Sequence, residues 1–281
     1  MRIKDVLKNV IPREKTRYIP TSFDIIGEIA IVEIPEELEE YKEEIGKAIL
    51  KIHRNVKCVY KRASEVKGEF RLRSYELIAG EEIDETIHKE SGVKMKLNVK
   101  KVYFSPRLSQ ERLRIARKVA PGEIIIDLCA GIGSFSLVIA KHAKPKRIYA
   151  IDKNPLAFRY LVENIKLNKL QEVIFPFLGD CREVIKELNL KNIADRCILD
   201  YPSAPEKLFE SVVLASKEKA FAHVYKFVKK EDYEEEVKSF VTYLSEIYSI
   251  SLEVINVKKC GDISPSKVRV CVDLKIEKKS L

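Results

Sequence analysis

Histidine and cysteine are sparse in this chain of 281 residues, and neither is patterned. The four histidines (53, 88, 142 and 223) form no ligand cluster, and the six cysteines (58, 129, 181, 197, 260 and 271) show no CxxC spacing. That excludes the usual zinc and disulfide frameworks and leaves buried, reduced thiols; no metal is expected. No apolar run reaches membrane-spanning length, so no membrane partner is expected. The start, Met1-Arg2-Ile3-Lys4-Asp5, lacks a secretory pattern, which makes a cytoplasmic location the expectation. Glutamine occurs only twice, at 110 and 171, while charged residues make up 34%. That bias is shared with proteins of hot-growing organisms. Acid falls short of base, and the net charge of +9 favours an anionic partner.

What the chain does have is concentrated in Ile124-Ile125-Ile126-Asp127-Leu128-Cys129-Ala130-Gly131-Ile132-Gly133-Ser134-Phe135. An apolar strand runs into an acid, a glycine turn and the amphipathic run Ser136 to His142, the pattern of a nucleotide-type cradle at the carboxyl end of a parallel strand. A dinucleotide site wants a third small residue so that the helix can approach a pyrophosphate. Here Ser136 stands at that position, behind the bulky Phe135, and the pattern points instead to S-adenosylmethionine (AdoMet), with Asp127 placed to meet its ammonium group. A second strand, Arg147 to Asp152, ends in an acid suited to a ribose diol, and Asn154-Pro155 opens a helix to about Asn168. A third strand, Val173 to Leu178, ends at Gly179-Asp180, within reach of an adenine amino group. A fourth, Arg196 to Leu199, ends at Asp200-Tyr201-Pro202. Acids at strand ends also cap following helices, so each one alone is ambiguous; together they line one sheet edge.

The fold expected is α/β, a mainly parallel sheet with an antiparallel C-terminal hairpin, preceded by a small α+β domain. The division is expected at 1–96 and 97–281. In the small domain, Asp24 to Ile34 reads as a hairpin turning at Gly27-Glu28, Pro35 to Ile52 as an amphipathic helix, and Val56 to Lys61 and Phe70 to Ile78 as strands. A short helix and loop precede them. Strand-like Asn98 to Phe104 and a basic helix, Arg107 to Lys118, lead into the cofactor strand. After the fourth strand, Ala204 to Ser216 reads as helix, Phe221 to Val228 as strand, Glu231 to Tyr248 as helix, and Leu252 to Val257 and Lys267 to Ile276 as an antiparallel pair.

Methyl transfer to a protonated ring nitrogen such as N1 of guanine needs a base, and a donor for the charge that develops on O6. Glu111 is the candidate base and Arg71, with its planar guanidinium, the candidate donor. Composition alone favours a plainer reading, in which Glu111 is an exposed helix partner of Arg114 and Arg71 a solvated strand residue. Several segments, however, resemble the archaeal and eukaryotic tRNA (guanine-37-N1)-methyltransferase family: Val66 to Arg73, Ile87 to Gly92, Val102 to Arg112 with its FSPRLxxER element, Asp127 to Phe135, and Gly179 to Glu183. The resemblance implies a class I, Rossmann-like AdoMet-dependent methyltransferase acting beside the anticodon as a monomer, with Glu111 as base and Arg71 steadying O6. It also implies that Asp200 and Pro202 take part at the base, and that Tyr103, Phe104, Arg107, Asp127, Ala130, Gly131, Gly133, Asp152, Lys153, Asp180, Cys181, Asp200 and Tyr201 hold the cofactor. Arg71, Arg73, Arg112, Arg114, Lys61 and Arg62 are the expected RNA contacts.

Two departures from the family pattern stand out. A domain that contacts the tRNA elbow in many members is not expected here, and Asp200-Tyr201-Pro202 replaces the usual Asn-Leu-Pro. An ionised Asp only accepts hydrogen bonds, whereas Asn also donates. The related wyosine-pathway family transfers an aminocarboxypropyl group from the same cofactor to the same tRNA position; it lacks the Arg-Leu of the FSPRL element, which Arg107-Leu108 supply here. A dual activity on a wyosine precursor, a non-catalytic RNA-binding protein with a degenerate cofactor fold, and a nicotinamide-dependent oxidoreductase complete the alternatives. If the basic residues contact phosphates, tRNA binding measured by filter retention weakens at least about tenfold between 50 and 200 mM salt. A flat response overturns the assignment.

Overall fold

The computed structural model describes residues 2–63, Gly68 and 72–278. Arg71, the expected O6 donor, lies outside the described residues. The chain forms two compact units, Met1–Glu90 with Lys94–Pro106, and Arg107–Leu281 with Ser91–Val93. The sequence places the division near residue 97. It falls later because Val93–Asn98 pairs with Glu85–Glu90 in a two-stranded sheet and keeps the following turn with the first unit.

In the first unit, β1 (Asp24–Ile26) and β2 (Ile29–Val32) make the expected hairpin. Helix α2 (Lys42–Ile52), preceded by the short helix α1 (Ile3–Leu7), carries the chain to β3 (Cys58–Arg62), which lies parallel to β2. β4 (Tyr75–Gly80) closes the four-stranded sheet antiparallel to β3. Ile45, Ala48 and Ile49 recur at helical spacing on α2, and that stripe is buried against Ala30, Val32 and Val59 of the sheet. The hairpin of β5 (Glu85–Glu90) and β6 (Val93–Asn98) is not foreseen from sequence. Its two turn residues, Ser91 and Gly92, both sit at positive φ (45° and 73°), the primed-turn geometry that fits strand twist. The strand expected over Asn98 to Phe104 does not form, because the Asn98 carboxamide accepts from the backbone N–H groups of Lys100 and Lys101 and turns the chain.

The second unit is a seven-stranded sheet flanked by helices. In chain order come α3 (Ser109–Ala116), β7 (Ile124–Asp127), α4 (Ser134–His142), β8 (Arg147–Asp152), α5 (Pro155–Leu167), β9 (Ile174–Leu178), α6 (Cys181–Glu187), β10 (Ala194–Leu199), α7 (Phe209–Ala215), β11 (Ser216–Lys229), α8 (Tyr233–Tyr248), β12 (Ile250–Asp262) and β13 (Lys267–Lys278). The spatial order is β12-β13-β11-β10-β7-β8-β9, and β13 alone runs against its neighbours. The last strand of the chain therefore sits inside the sheet, and β12 is the edge.

On one face of the sheet, Ala222, Val224 and Val228 of β11 join Val268, Val270, Val272, Leu274 and Ile276 of β13 in a core with Val212 of α7 and Phe240 and Leu244 of α8. The alternate residues are polar yet also buried. His223 and Tyr225 of β11 face Asp273 and Cys271 of β13 across the ladder, and α3 lies over them. There a run of charges is matched atom to atom. Glu123 holds Arg196 through two bonds of 2.7 and 2.9 Å. Arg196 donates to His223 Nε2 at 2.8 Å, so His223 carries its proton on Nδ1 and donates it to Asp273 Oδ1 at 2.7 Å. Asp273 grips Arg114 at 2.6 and 3.1 Å, and Arg114 in turn grips Glu111 twice at 2.7 Å. Although the Asp273 bond favours the charged ring, burial prevails and keeps His223 neutral. Sγ of Cys271 lies within 4.8 Å of the His223 and Asp273 ligand atoms, but Arg114 and Arg196 occupy the places a cation would need. All six cysteines are free thiols, and no described helix is long and apolar enough to cross a membrane.

Truncating Asp273 leaves the His223 Nδ1–H buried without its acceptor and strips Arg114 of one of its two carboxylates. Asp273→Ala is expected to lower unfolding free energy by about 3–5 kcal/mol. Urea titration checks it against the exposed Glu253→Ala, expected within about 0.5 kcal/mol of the parent.

Candidate active site

Strands β7, β8, β9 and β10 end side by side, and each delivers its acid to the carboxyl edge. Asp127 is fully buried. Its Oδ2 accepts from the Ser136 hydroxyl at 2.7 Å, while Oδ1 has no partner among the described residues. Burial, reinforced by the neighbouring Asp200 and Asp152, pushes its carboxyl up to about 7. A buried carboxylate with an orphaned oxygen is costly unless a donor completes it. An ammonium group does so, and this is where the structure fits AdoMet.

Asp152 closes the glycine turn. Its Oδ2 accepts from Gly131 N–H at 2.7 Å and its Oδ1 from Asn154 N–H at 2.8 Å. Burial raises its carboxyl as well. Each oxygen keeps a second lone pair for a ribose hydroxyl. A Cβ on Gly133 (φ 90°) would meet Leu161 Cδ1 at 2.6 Å, whereas one on Gly131 would meet nothing within 4 Å, so Gly131 borders open space. Ala130 is buried, its N–H bonded to the Ile151 carbonyl at 2.9 Å. Asp180 caps α6 through Arg182 N–H and pairs with the Arg182 guanidinium at 2.6 and 2.8 Å, which holds its carboxyl down at about 2; exposed Lys153 stands 3.8 Å away. Capping and ligand binding are thus compatible roles for that acid. The Cys181 side chain is a correction: it is buried and turned to Ser211 Oγ, 3.6 Å away, leaving only its backbone to the edge.

Asp200 pairs with Arg269 of β13. Tyr201 packs partly buried on the core, and the Pro202 carbonyl accepts from Phe227 N–H at 3.0 Å, tying this turn to β11. Glu111 is buried, 6% exposed, not the exposed helix partner of the plainer reading. Burial alone would raise its carboxyl, but hydrogen bonds and charge from Arg114 prevail and hold it below the usual range. The Tyr225 hydroxyl adds a bond to Oε1 at 2.9 Å. The group is therefore ionised at neutral pH, as a base must be.

One expected RNA contact needs correction. Arg112 is 1% exposed and lies in the core, because its position on α3 faces inward. Arg114 is held between Glu111 and Asp273. Lys61 pairs with Glu39 and Glu76, and Arg62 with Asp24 and Glu33, so those charges are neutralised within the first unit. Arg73 is half-buried in that unit, as are Tyr103 and Phe104, whose ring lies 5.1 Å from His88. Arg107 is exposed at the start of the second unit. The sequence reasoning missed Tyr225, Arg269, Asp273 and His223. The signal was the strict alternation in Lys267 to Ile276, whose polar half reads as solvent-facing but is covered by α3.

Sheet order, glycine turn and acid-lined edge together define a Rossmann-like methyltransferase fold. The TRM5/TYW2 methyltransferase domain matches residues 86–253, and the TYW2 N-terminal domain matches residues 3–83; the chain belongs to the TRM5/TYW2 family. It is 41% identical to the tRNA (guanine(37)-N(1))-methyltransferase Trm5b of Pyrococcus abyssi, over 95% of this chain and 78% of the relative. It is 32% identical to the tRNA(Phe) (4-demethylwyosine(37)-C(7)) aminocarboxypropyltransferase of Pyrococcus horikoshii, over 99% of this chain and 97% of that one. The crystal structure of wild-type Trm5b from Pyrococcus abyssi superposes with a TM-score of 0.85 at 40% identity, covering 95% of this chain and 78% of that one.

Because Asp127 is raised to about 7 in the free protein and a cationic partner favours its ionised form, AdoMet binding should release protons near neutrality. Affinity is expected to rise as pH increases from 6 to 8, with proton release visible by calorimetry in buffers of different ionisation enthalpy. Asp127→Asn should abolish that release and weaken AdoMet by about tenfold or more.

Proposed function

We propose that this protein binds AdoMet along the carboxyl edge and transfers its methyl group to N1 of guanosine 37 in tRNA. The observation that carries the cofactor assignment is the cluster of Asp127, Asp152 and Asp200 around the glycine turn, with Asp127 Oδ1 unsatisfied. Such an edge attracts a sulfonium and an ammonium and repels a pyrophosphate, which sets the nicotinamide alternative aside. When bound, AdoMet supplies an electrophilic methyl group.

The rest falls to residues of the chain. Asp127 takes the ammonium, Asp152 the ribose hydroxyls, and Asp180 the adenine amino group. Glu111 accepts the N1 proton, and Arg114, holding its carboxylate in a bidentate grip, fixes it until the base is seated. Asp200 and the Pro202 turn border the base, and Arg71 serves O6. Exposed Arg107, Arg117 and Lys118 contact phosphates, and the first unit adds further RNA contacts; the enzyme works as a monomer without metal. The identity to Trm5b of Pyrococcus abyssi and the presence of Arg107-Leu108 support methyl transfer.

One observation favours a second reading: residues 3–83 match the TYW2 N-terminal domain. Mass spectrometry of tRNA after incubation with labelled AdoMet decides between them, with one added methyl expected and an added aminocarboxypropyl group overturning the proposal. Glu111→Gln is expected to retain AdoMet affinity while slowing single-turnover transfer by about 10² or more. A near-parental rate removes Glu111 from the role of base.

A further inference from the structure

Arg269 lies on the covered polar face of β13 and is only 2% exposed. Its guanidinium donates from Nη2 to Asp200 Oδ1, at the carboxyl end of β10. The same guanidinium sits over the Tyr225 ring, with Cζ 5.0 Å from the centroid, and the Tyr225 hydroxyl donates to Glu111 at 2.9 Å. One buried cation is thus in contact with Asp200 directly and with the support of Glu111 through an aromatic face. Asp200 needs it. Its carboxylate is largely buried, and it stands close enough to the orphaned Asp127 for the two charges to oppose each other. A largely buried carboxylate beside another acid is costly without a counter-charge to hold it.

We propose that Arg269 is a positioning residue for methyl transfer. It holds Asp200 in place with Oδ1 occupied, so that Oδ2 is presented as an acceptor to the N–H donors on the Watson–Crick edge of a guanine-type base, and it braces Tyr225 beneath Glu111. The acceptor-only chemistry of Asp200 becomes usable because β13 supplies its charge partner. The inference rests on the reading that Asp200 and Glu111 border the base.

The test is a double-mutant cycle in the full chain, read by single-turnover methylation of tRNA transcript and by calorimetric AdoMet affinity. Arg269→Gln is expected to slow transfer about 30-fold with AdoMet affinity within about threefold of the parent, and Arg269→Lys, which keeps the charge, to stay within about fivefold. Combining Arg269→Gln with Asp200→Asn removes both charges, and this neutral pair should transfer methyl at least about fivefold faster than either single neutral variant. Should Arg269→Gln fail to fold, the neutral pair compared with Asp200→Asn alone, which strands Arg269, carries the same test. A double variant at or below the product of the two single effects, or Arg269→Gln at parental rate, overturns the inference and leaves the functional reading standing. A parent protein that yields no methylated tRNA overturns the functional reading itself.

Discussion

Arg114 is gripped by two carboxylates at once, Glu111 on its own helix and Asp273 on the antiparallel strand β13, and the second unit is organised around that clamp. A guanidinium buried between two acids is stable only if all three are held in fixed geometry, because removing any one leaves uncompensated charge in a poorly solvated place. The rigidity comes from behind. Asp273 is set by His223, His223 by Arg196, and Arg196 by Glu123. The run crosses the sheet from its amino end toward the acid-lined carboxyl edge. It explains why two strands that look half-exposed in sequence have both faces buried, and why α3 seats where it does with almost no apolar stripe of its own.

The same clamp accounts for the electrostatic contrast between Glu111 and Asp127. Both are buried acids, and burial pushes both upward. Glu111 ends below the ordinary range because Arg114 faces it; Asp127 ends near 7 because its neighbours are Asp200 and Asp152. One acid is therefore poised to accept a proton, and the other to give one up when a cation arrives. Environments that drive two carboxylates in opposite directions give one unit both a proton acceptor and a proton donor near neutrality.

The parallel half of the fold was legible because each strand is a short apolar run that stops at an acid, and two of the helices open on side-chain caps, Asn154 and Asp180. The glycine turn was legible because Gly133 must adopt φ 90° against Leu161. The Ser91-Gly92 hairpin was not, since Glu85 to Asn98 is rich in charge and its apolar residues are few. Asn98 was read as strand because β propensity says nothing about a side chain that folds back on the next two backbone groups. The polar face of β11 and β13 escaped for a deeper reason. Alternation tells which residues share a face, but not whether that face meets water or a helix, and Arg269, Cys271 and Asp273 are as polar as any solvent-facing set. Arg112 failed in the opposite direction, a basic residue in a basic run whose helical phase turns it into the core.

Charge in this protein is sorted by depth. The whole chain is basic, at +9, which suits an RNA backbone. The sheet edge inside it is acidic, with Asp127, Asp152, Asp180 and Asp200 within a few strands of one another. A cationic cofactor and an anionic macromolecule compete for neither surface under that arrangement, since each is repelled where the other belongs. Sorting of this kind demands internal counter-charges wherever the two zones meet. Arg182 on Asp180, Arg269 on Asp200 and Arg114 on Glu111 stand along that boundary. Each is a guanidinium and not an ammonium, and on Asp180 and Glu111 its planar fork satisfies the carboxylate at two points. The paired acids are thus held in orientation, each by a cation fixed to another part of the fold or to the next turn, while the edge they border stays acidic.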